Sequence, residues 1–284
     1  MDNIIYLYCV TEKAPELKEL KSLDDNLHTI HHNSLYAVVS NVPQEEFDDE
    51  HLKKNLDDME WLKNKAGLHE TIIEGVMKEA CVIPFRFATL FYTDDSLKTM
   101  LEKHGTELKM HLKNLQDKKE WGVKIYCDTG KLKKALIKED EELLKIDKEI
   151  ESASPGKAFL LKKKKDETLN KLVQARVNEY CGFCFERLSE ESLKTHINRL
   201  LPKEVTERND EMVFNVAFLV NQHNVNGFIE AVKSIQAIYE MKGISIDCTG
   251  PWPPYNFCIL VDKTVLELDS IRKNGKKWSN PDDA

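Results

Sequence analysis

Residues 27–42 read Leu-His-Thr-Ile-His-His-Asn-Ser-Leu-Tyr-Ala-Val-Val-Ser-Asn-Val. Two β-rich runs, Leu27 to His32 and Leu35 to Val42, meet across Asn33-Ser34, a polar pair suited to a tight turn, so the stretch predicts a hairpin. Upstream lies another β-rich run, Ile4 to Val10, with a short helix expected between them at about Ala14 to Leu23. Downstream the period lengthens. Leu52, Leu56, Met59, Leu62, Ala66, His69, Ile73, Val76 and Ala80 recur three or four apart, which predicts one amphipathic helix from Glu50 to Ala80. A strand at Cys81 to Phe91 then completes the order strand, helix, strand, strand, helix, strand, which is that of a ferredoxin-like sandwich.

Asp94 to Leu115 reads as a connecting helix with Asp94 or Asp95 available as its cap, after which the order restarts. Trp121 to Cys127 is strand-like, and Lys131 to Ile150 is a charged helix with a narrow apolar seam. Ser152 to Gly156 breaks it, and a longer helix is expected over Lys157 to Leu200. Strands at Lys203 to Arg208 and Met212 to Asn221 flank Asn209-Asp210; a helix at Val225 to Lys242 and an extended stretch at Ile244 to Val261 follow. The expected fold class is therefore α+β with two ferredoxin-like α/β sandwich domains: 1–117 with the connecting helix, 118–262 with the inserted charged helix, and a tail at 263–284 carrying a short helix at Val265 to Ile271. No residue-level repeat links the halves.

Hydrophobic content of 41% beside 32% charged residues of both signs describes a folded globular chain. No apolar run approaches the roughly 18 residues of a membrane helix, and Asp2 and Asn3 stand where a secretory signal would need cations, so a cytoplasmic protein without membrane contact is expected. A net charge of −8 argues against general nucleic-acid binding. The seven cysteines sit mostly inside apolar runs, as small buried hydrophobes in a reducing compartment.

Cys181-Gly182-Phe183-Cys184 has the spacing of a redox or zinc pair, but both thiols continue the apolar stripe of a helix and no second pair accompanies them; packing is favoured over a thiol-based enzyme. His28, His31 and His32 are read as a surface cluster, and His69, on an apolar helix face beside Glu70, as a hydrogen-bonded core residue. Lys162 to Lys165 is read as a solvated helix face. No phosphate loop, nucleophile elbow or HExxH pattern is present, so no enzyme, cofactor or metal is expected. Two rigid segments stand out, readable either as ordinary cap packing or as recognition surfaces: Val82 to Phe91, with Pro84 and the lone Arg86, and Gly250-Pro251-Trp252-Pro253-Pro254-Tyr255-Asn256-Phe257, whose prolines stiffen an aromatic segment.

Those segments carry a resemblance. Tyr6-Leu7-Tyr8-Cys9-Val10, Trp61, His69-Glu70, Pro84-Phe85-Arg86-Phe87-Ala88-Thr89, Glu120 to Lys124, Ser154 to Leu160 and Thr249 to Phe257 follow in order the landmarks of the gas vesicle protein F/L family, with Ala88 where that pattern generally has glycine. The resemblance implies an N-terminal α/β domain, a C-terminal modified ferredoxin-like domain with a helical tail, and a non-enzymatic role as a minor component of gas vesicle assembly. It also implies binding to the small hydrophobic shell protein and to other accessory proteins. The anchors expected for such a partner are Trp252 and Tyr255 with Pro253 and Pro254, then Arg86 with Pro84, and Trp61. A ferredoxin-like module acting on other proteins or on nucleic acid is the alternative.

Overall fold

The computed structural model describes residues 3–258. Contacts divide these residues into two units, one of 3–117 together with 253–258, the other Lys118–Trp252. Pro253 to Cys258 thus group with the first unit rather than with the second, where the sequence pattern put them; half-buried Tyr255 packs into the first unit's core.

The first unit runs β1 (Asn3–Thr11), β2 (Leu27–His32), β3 (Leu35–Pro43), α1 (Gln44–Phe47), α2 (Asp49–Asp57), α3 (Met59–Met77), β4 (Ile83–Pro84), β5 (Leu90–Phe91) and α4 (Asp94–Leu115). Its antiparallel sheet has the order β2-β3-β1-β4, with β5 also on β1. The hairpin forms as read: Asn33 and Ser34 both take positive φ, 48° and 67°, as a two-residue turn matching strand twist requires. Ile4, Tyr6 and Tyr8 of β1 share a core with Ile72, Ile73 and Val76 of α3, while α4, carrying buried Leu97, Leu101 and Leu108, lies against β1, β2, β4 and β5.

Four expectations fail here for local reasons. The helix at 14–23 reduces to a 3-10 turn at Leu20–Ser22; Pro15 biases Ala14 toward extended backbone, and Leu17 and Leu20 dock on the core without a helix. The 50–80 helix is divided because Asp58 adopts extended backbone and caps α3, its carboxylate accepting from the N–H groups of Glu60 and Trp61, as Asp48 does for α2. The strand at 81–91 leaves the sheet between Phe85 and Thr89, where Ala88 takes φ 59° and Thr89 bonds back to the Arg86 carbonyl. A left-handed residue there gives a physical reason for glycine in the family pattern. The cap of α4 is Thr93, in a reciprocal box with Ser96, rather than Asp94 or Asp95.

The second unit runs β6 (Lys118–Cys127), α5 (Thr129–Glu139), α6 (Glu141–Glu151), α7 (Pro155–Glu190), β7 (Lys194–Ile197), α8 (Lys203–Thr206), β8 (Glu211–Asn221), α9 (Val225–Tyr239) and β9 (Ile244–Trp252). The sheet order is β7-β8-β6-β9, all antiparallel. Val123, Ile125, Phe214, Val216 and Phe218 form the core with Val177, Cys184 and Leu188 of α7 and Phe228, Val232 and Ile235 of α9. The charged helix is two helices because Asp140 breaks the first and caps the second. Helix α7 stops at Glu190, ten residues before the expected end, and the missing piece is the edge strand β7. Lys203 to Arg208 is not a strand: a helical turn and left-handed Glu207 place the Arg208 guanidinium 3.9 Å from the Tyr126 ring centre, paired with Asp210 and Asp247. The stretch beyond Cys258, including the expected extended residues 259–261 and the tail helix, lies outside the described residues.

Candidate functional site

Four separated pieces of the first unit meet at His69. Tyr6 comes from β1, His69 and Glu70 from α3, Phe85 to Ala88 from the loop between β4 and β5, and Tyr255 from the returning C-terminal segment. His69 is 3% exposed. Its Nε2 lies 3.1 Å from the Phe85 carbonyl oxygen, which can only accept, so Nε2 carries the proton. The unprotonated Nδ1 then accepts from the Tyr6 hydroxyl at 2.9 Å, and the Tyr6 oxygen in turn accepts the Ala88 N–H at 3.0 Å. The Tyr255 oxygen sits 3.2 Å from Nε2, and its hydroxyl donates to the Glu70 carboxylate at 3.2 Å.

Burial sets the charge state of this network. It pushes His69 down to about 4, so the ring is neutral at physiological pH. Burial also raises the Tyr6 and Tyr255 hydroxyls, and it raises Glu70, with the charge of Glu74 adding and the Tyr255 bond opposing. A neutral, fully bonded histidine between two un-ionised tyrosines is a clamp that holds the Phe85–Ala88 loop and the C-terminal segment against β1.

The seven anchors expected for a partner separate into two groups. Pro84 is buried in register with Cys9, and Pro253 and Pro254 are buried as well. Tyr255 belongs to the clamp. Trp61 donates from Nε1 to Glu46 at 2.8 Å and packs among Phe47 and Phe87, closing the core. Arg86 and Trp252 are exposed, Trp252 to 38%. Trp252 ends β9, its Nε1 donating to Thr249 Oγ1 at 3.0 Å. Gly250 just before it has φ 139°, and a Cβ there would lie 2.9 Å from the Glu120 carbonyl oxygen and 3.1 Å from the Trp121 ring, so the backbone demands glycine.

Burial pushes Cys181 up to about 11 and Cys184 up to about 12, leaving both as thiols, and Cys181 Sγ donates to the Val213 carbonyl. His28 and His32 bond Asn26 and Asn33, and His31 lies on Tyr36. Among the described residues no group of three or more His, Cys, Asp or Glu is placed to hold a metal, and no helix is long and apolar enough to cross a membrane.

What sequence reading missed is an open edge. β7 pairs with β8 on one side and with no strand on the other among the described residues. Leu193 and Ile197, at its two ends, are 54% and 72% exposed, and Leu200 and Val205, farther along the chain, are 48% and 61% exposed. The signal was the change from helical spacing to alternation at Leu193, Thr195 and Ile197.

A family model described as gas vesicle synthesis protein GvpL/GvpF matches residues 4–259. The chain belongs to the GvpL/GvpF family. Gas vesicle protein L of Streptomyces sp. (strain CB03234) is 26% identical over 274 residues, covering 94% of this chain and 97% of that protein. Gas vesicle protein L1 of Halobacterium salinarum (strain ATCC 700922 / JCM 11081 / NRC-1) is 23% identical over 266 residues, 90% and 91% of the two chains. The fold is similar to the crystal structure of GvpF from Anabaena sp. PCC7120, with a TM-score of 0.69 at 17% identity over 92% of this chain and 100% of that one. GvpF from Microcystis aeruginosa superposes with a TM-score of 0.60, also at 17% identity, over 90% and 99%. Four of the first-unit stretches on which the sequence resemblance rests, Tyr6 to Val10, His69-Glu70, Pro84 to Thr89 and Tyr255, supply the clamp, whereas Trp61 packs on Phe47 and Phe87.

Proposed function

We propose that this chain is a non-enzymatic accessory factor of gas vesicle assembly, working in the cytoplasm and at the growing vesicle, which holds the small apolar shell protein before it enters the wall. The observation that carries this reading is the β7 edge. An edge strand offers a row of backbone donors and acceptors to an added strand, and flanking apolar side chains supply the pockets that alternate residues of that strand fill. Ile197 at 72% and Leu193 at 54% exposure have no role in the unit's own core. A monomeric protein gains nothing from leaving such side chains clustered in water. Trp252 supplies an aromatic anchor at the opposite edge of the same sheet.

Both sheet orders, β2-β3-β1-β4 and β7-β8-β6-β9, support reading each unit as a modified ferredoxin-like sandwich, the first with its opening helix reduced to a turn and the second with α5 and α6 inserted. The test is co-expression with the shell protein and affinity capture of this chain. Wild type should bring soluble shell protein with it, and Ile197→Lys should not, while remaining folded. Trp252→Ala should weaken capture if the second edge takes part. Equal capture by wild type and Ile197→Lys would remove the edge-strand reading.

A further inference from the structure

We propose that the outward face of the first three turns of α7 docks an acidic amphipathic helix of another protein, a surface separate from the β7 edge. Phe159 and Leu160 are 69% and 66% exposed, side by side, in a helix whose other face is buried. Residues 155–165 carry five lysines and no carboxylate. Lys165 alone is used internally, its ammonium on the Asp147 carboxylate of α6, which pins this part of α7 to its neighbour. Lys157, Lys162, Lys163 and Lys164 are exposed and have no ion pair among the described residues. Carboxylates resume only at Asp166 and Glu167.

Helix stability does not explain this pattern. The first turn holds no acidic residue and the Ser154 side chain makes no capping bond, although the start of a helix favours negative charge and disfavours cations. The arrangement becomes favourable when an anionic partner arrives. At 100° per residue, Lys163 sits one turn beyond Phe159, and Gly156 and Lys164 lie one turn on either side of Leu160, so apolar and cationic groups share one face. A Cβ at Gly156 would meet nothing within 4 Å, leaving a notch beside the two apolar side chains into which a ridge of a partner helix fits.

Charge selects the occupant. The chain as a whole carries −8, so a second copy is repelled at long range. Two apolar side chains on a helix held at its back by α6 make too small an insertion for a lipid surface, where binding scales with buried apolar area. An acidic helix with one apolar face matches both features, the lysines steering encounter and Phe159 and Leu160 holding the contact.

The test uses the full chain and a labelled synthetic helical peptide with leucines on one face and glutamates on the other, read by fluorescence anisotropy. The wild-type chain should bind it, bind a lysine-faced control peptide at least about tenfold more weakly, and lose affinity as salt is raised from about 50 to about 500 mM. Lys157→Glu/Lys163→Glu/Lys164→Glu and, separately, Phe159→Ser/Leu160→Ser should each weaken binding at least about tenfold with unchanged circular dichroism, since all five positions are exposed. The second variant keeps the test decisive if the first does not fold. No peptide binding, or binding untouched by the Phe159→Ser/Leu160→Ser variant, overturns the proposal. So does binding to phosphatidylglycerol vesicles in place of the peptide, or self-association in sedimentation that Phe159→Ser/Leu160→Ser abolishes. Loss of β7-edge function in Ile197→Lys should leave peptide binding unchanged, which separates the two surfaces.

Discussion

Replacing Tyr6 by phenylalanine removes one oxygen and keeps the ring, so its effect isolates the hydroxyl at the centre of the clamp. Tyr6 and His69 are each 3% exposed, and no solvent reaches the groups left behind. The hydroxyl donates to His69 Nδ1 and accepts from the Ala88 N–H. Its loss therefore orphans two buried polar groups, each at about 1–3 kcal/mol, for a total of about 2–6 kcal/mol. The ring contacts with Tyr8, Phe47 and Phe87 survive and do not add to this figure. Urea unfolding followed by circular dichroism and tryptophan fluorescence should show the midpoint falling by about 1–2 M with little change in slope. Tyr255→Phe breaks the bond to half-buried Glu70 and the 3.2 Å contact with His69 Nε2, which keeps the Phe85 carbonyl as its acceptor, and should lose about 1 kcal/mol, so the ranking matters as much as the size. A Tyr6→Phe loss below about 0.5 kcal/mol, or one smaller than that of Tyr255→Phe, would refute the assignment of Tyr6 as the donor to a neutral His69.

Three further predictions concern His69 of the clamp and, in the second unit, two glycines and the Cys181–Cys184 pair. His69 is held at about 4 when folded, against an ordinary 6.5, so between those values the unfolded chain takes the proton first; stability should fall as pH drops through 6.5 and stop falling near 4, by about 3 kcal/mol. Glu70, raised by burial, is protonated first in the folded chain and opposes this trend, so His69→Gln should remove the histidine part of the slope and leave the Glu70 part. Gly250→Ala should destabilise the second unit by about 2–4 kcal/mol, since it combines a positive-φ strain with a 2.9 Å clash, whereas Gly182→Ala, in mid-helix with nothing within 4 Å, should stabilise it by about 0.5–1 kcal/mol in thermal unfolding. Thiol titration near pH 8 of the native chain should leave Cys181 and Cys184 unreacted, and denaturant should expose both.

Where the sequence could be read, one local signal dominated. The 27–42 hairpin followed from alternation and a turn pair, and α4 and α9 followed from unbroken helical spacing. The reading went astray where a single side chain overruled the period. Asp58 and Asp140 look like ordinary polar positions in long helices, yet each turns its carboxylate onto the next helix's N–H groups and splits the element. The Phe85–Thr89 loop reads as strand because its residues, Arg86 apart, are almost wholly apolar or small; its path depends on Tyr6 and His69, which are distant in sequence. The landmark residues Tyr6, His69 and Tyr255 were visible one by one, but not that they touch. The β7 edge was hidden because four residues of alternation followed a 36-residue helix without a strong break.

The most direct test of the account is the amount of soluble shell protein recovered when it is co-expressed with this chain or with its Ile197→Lys variant. The account predicts soluble, co-purifying shell protein with the wild type and aggregated shell protein with a variant that melts at the same temperature. Equal recovery with the two chains, or none with either, would contradict it.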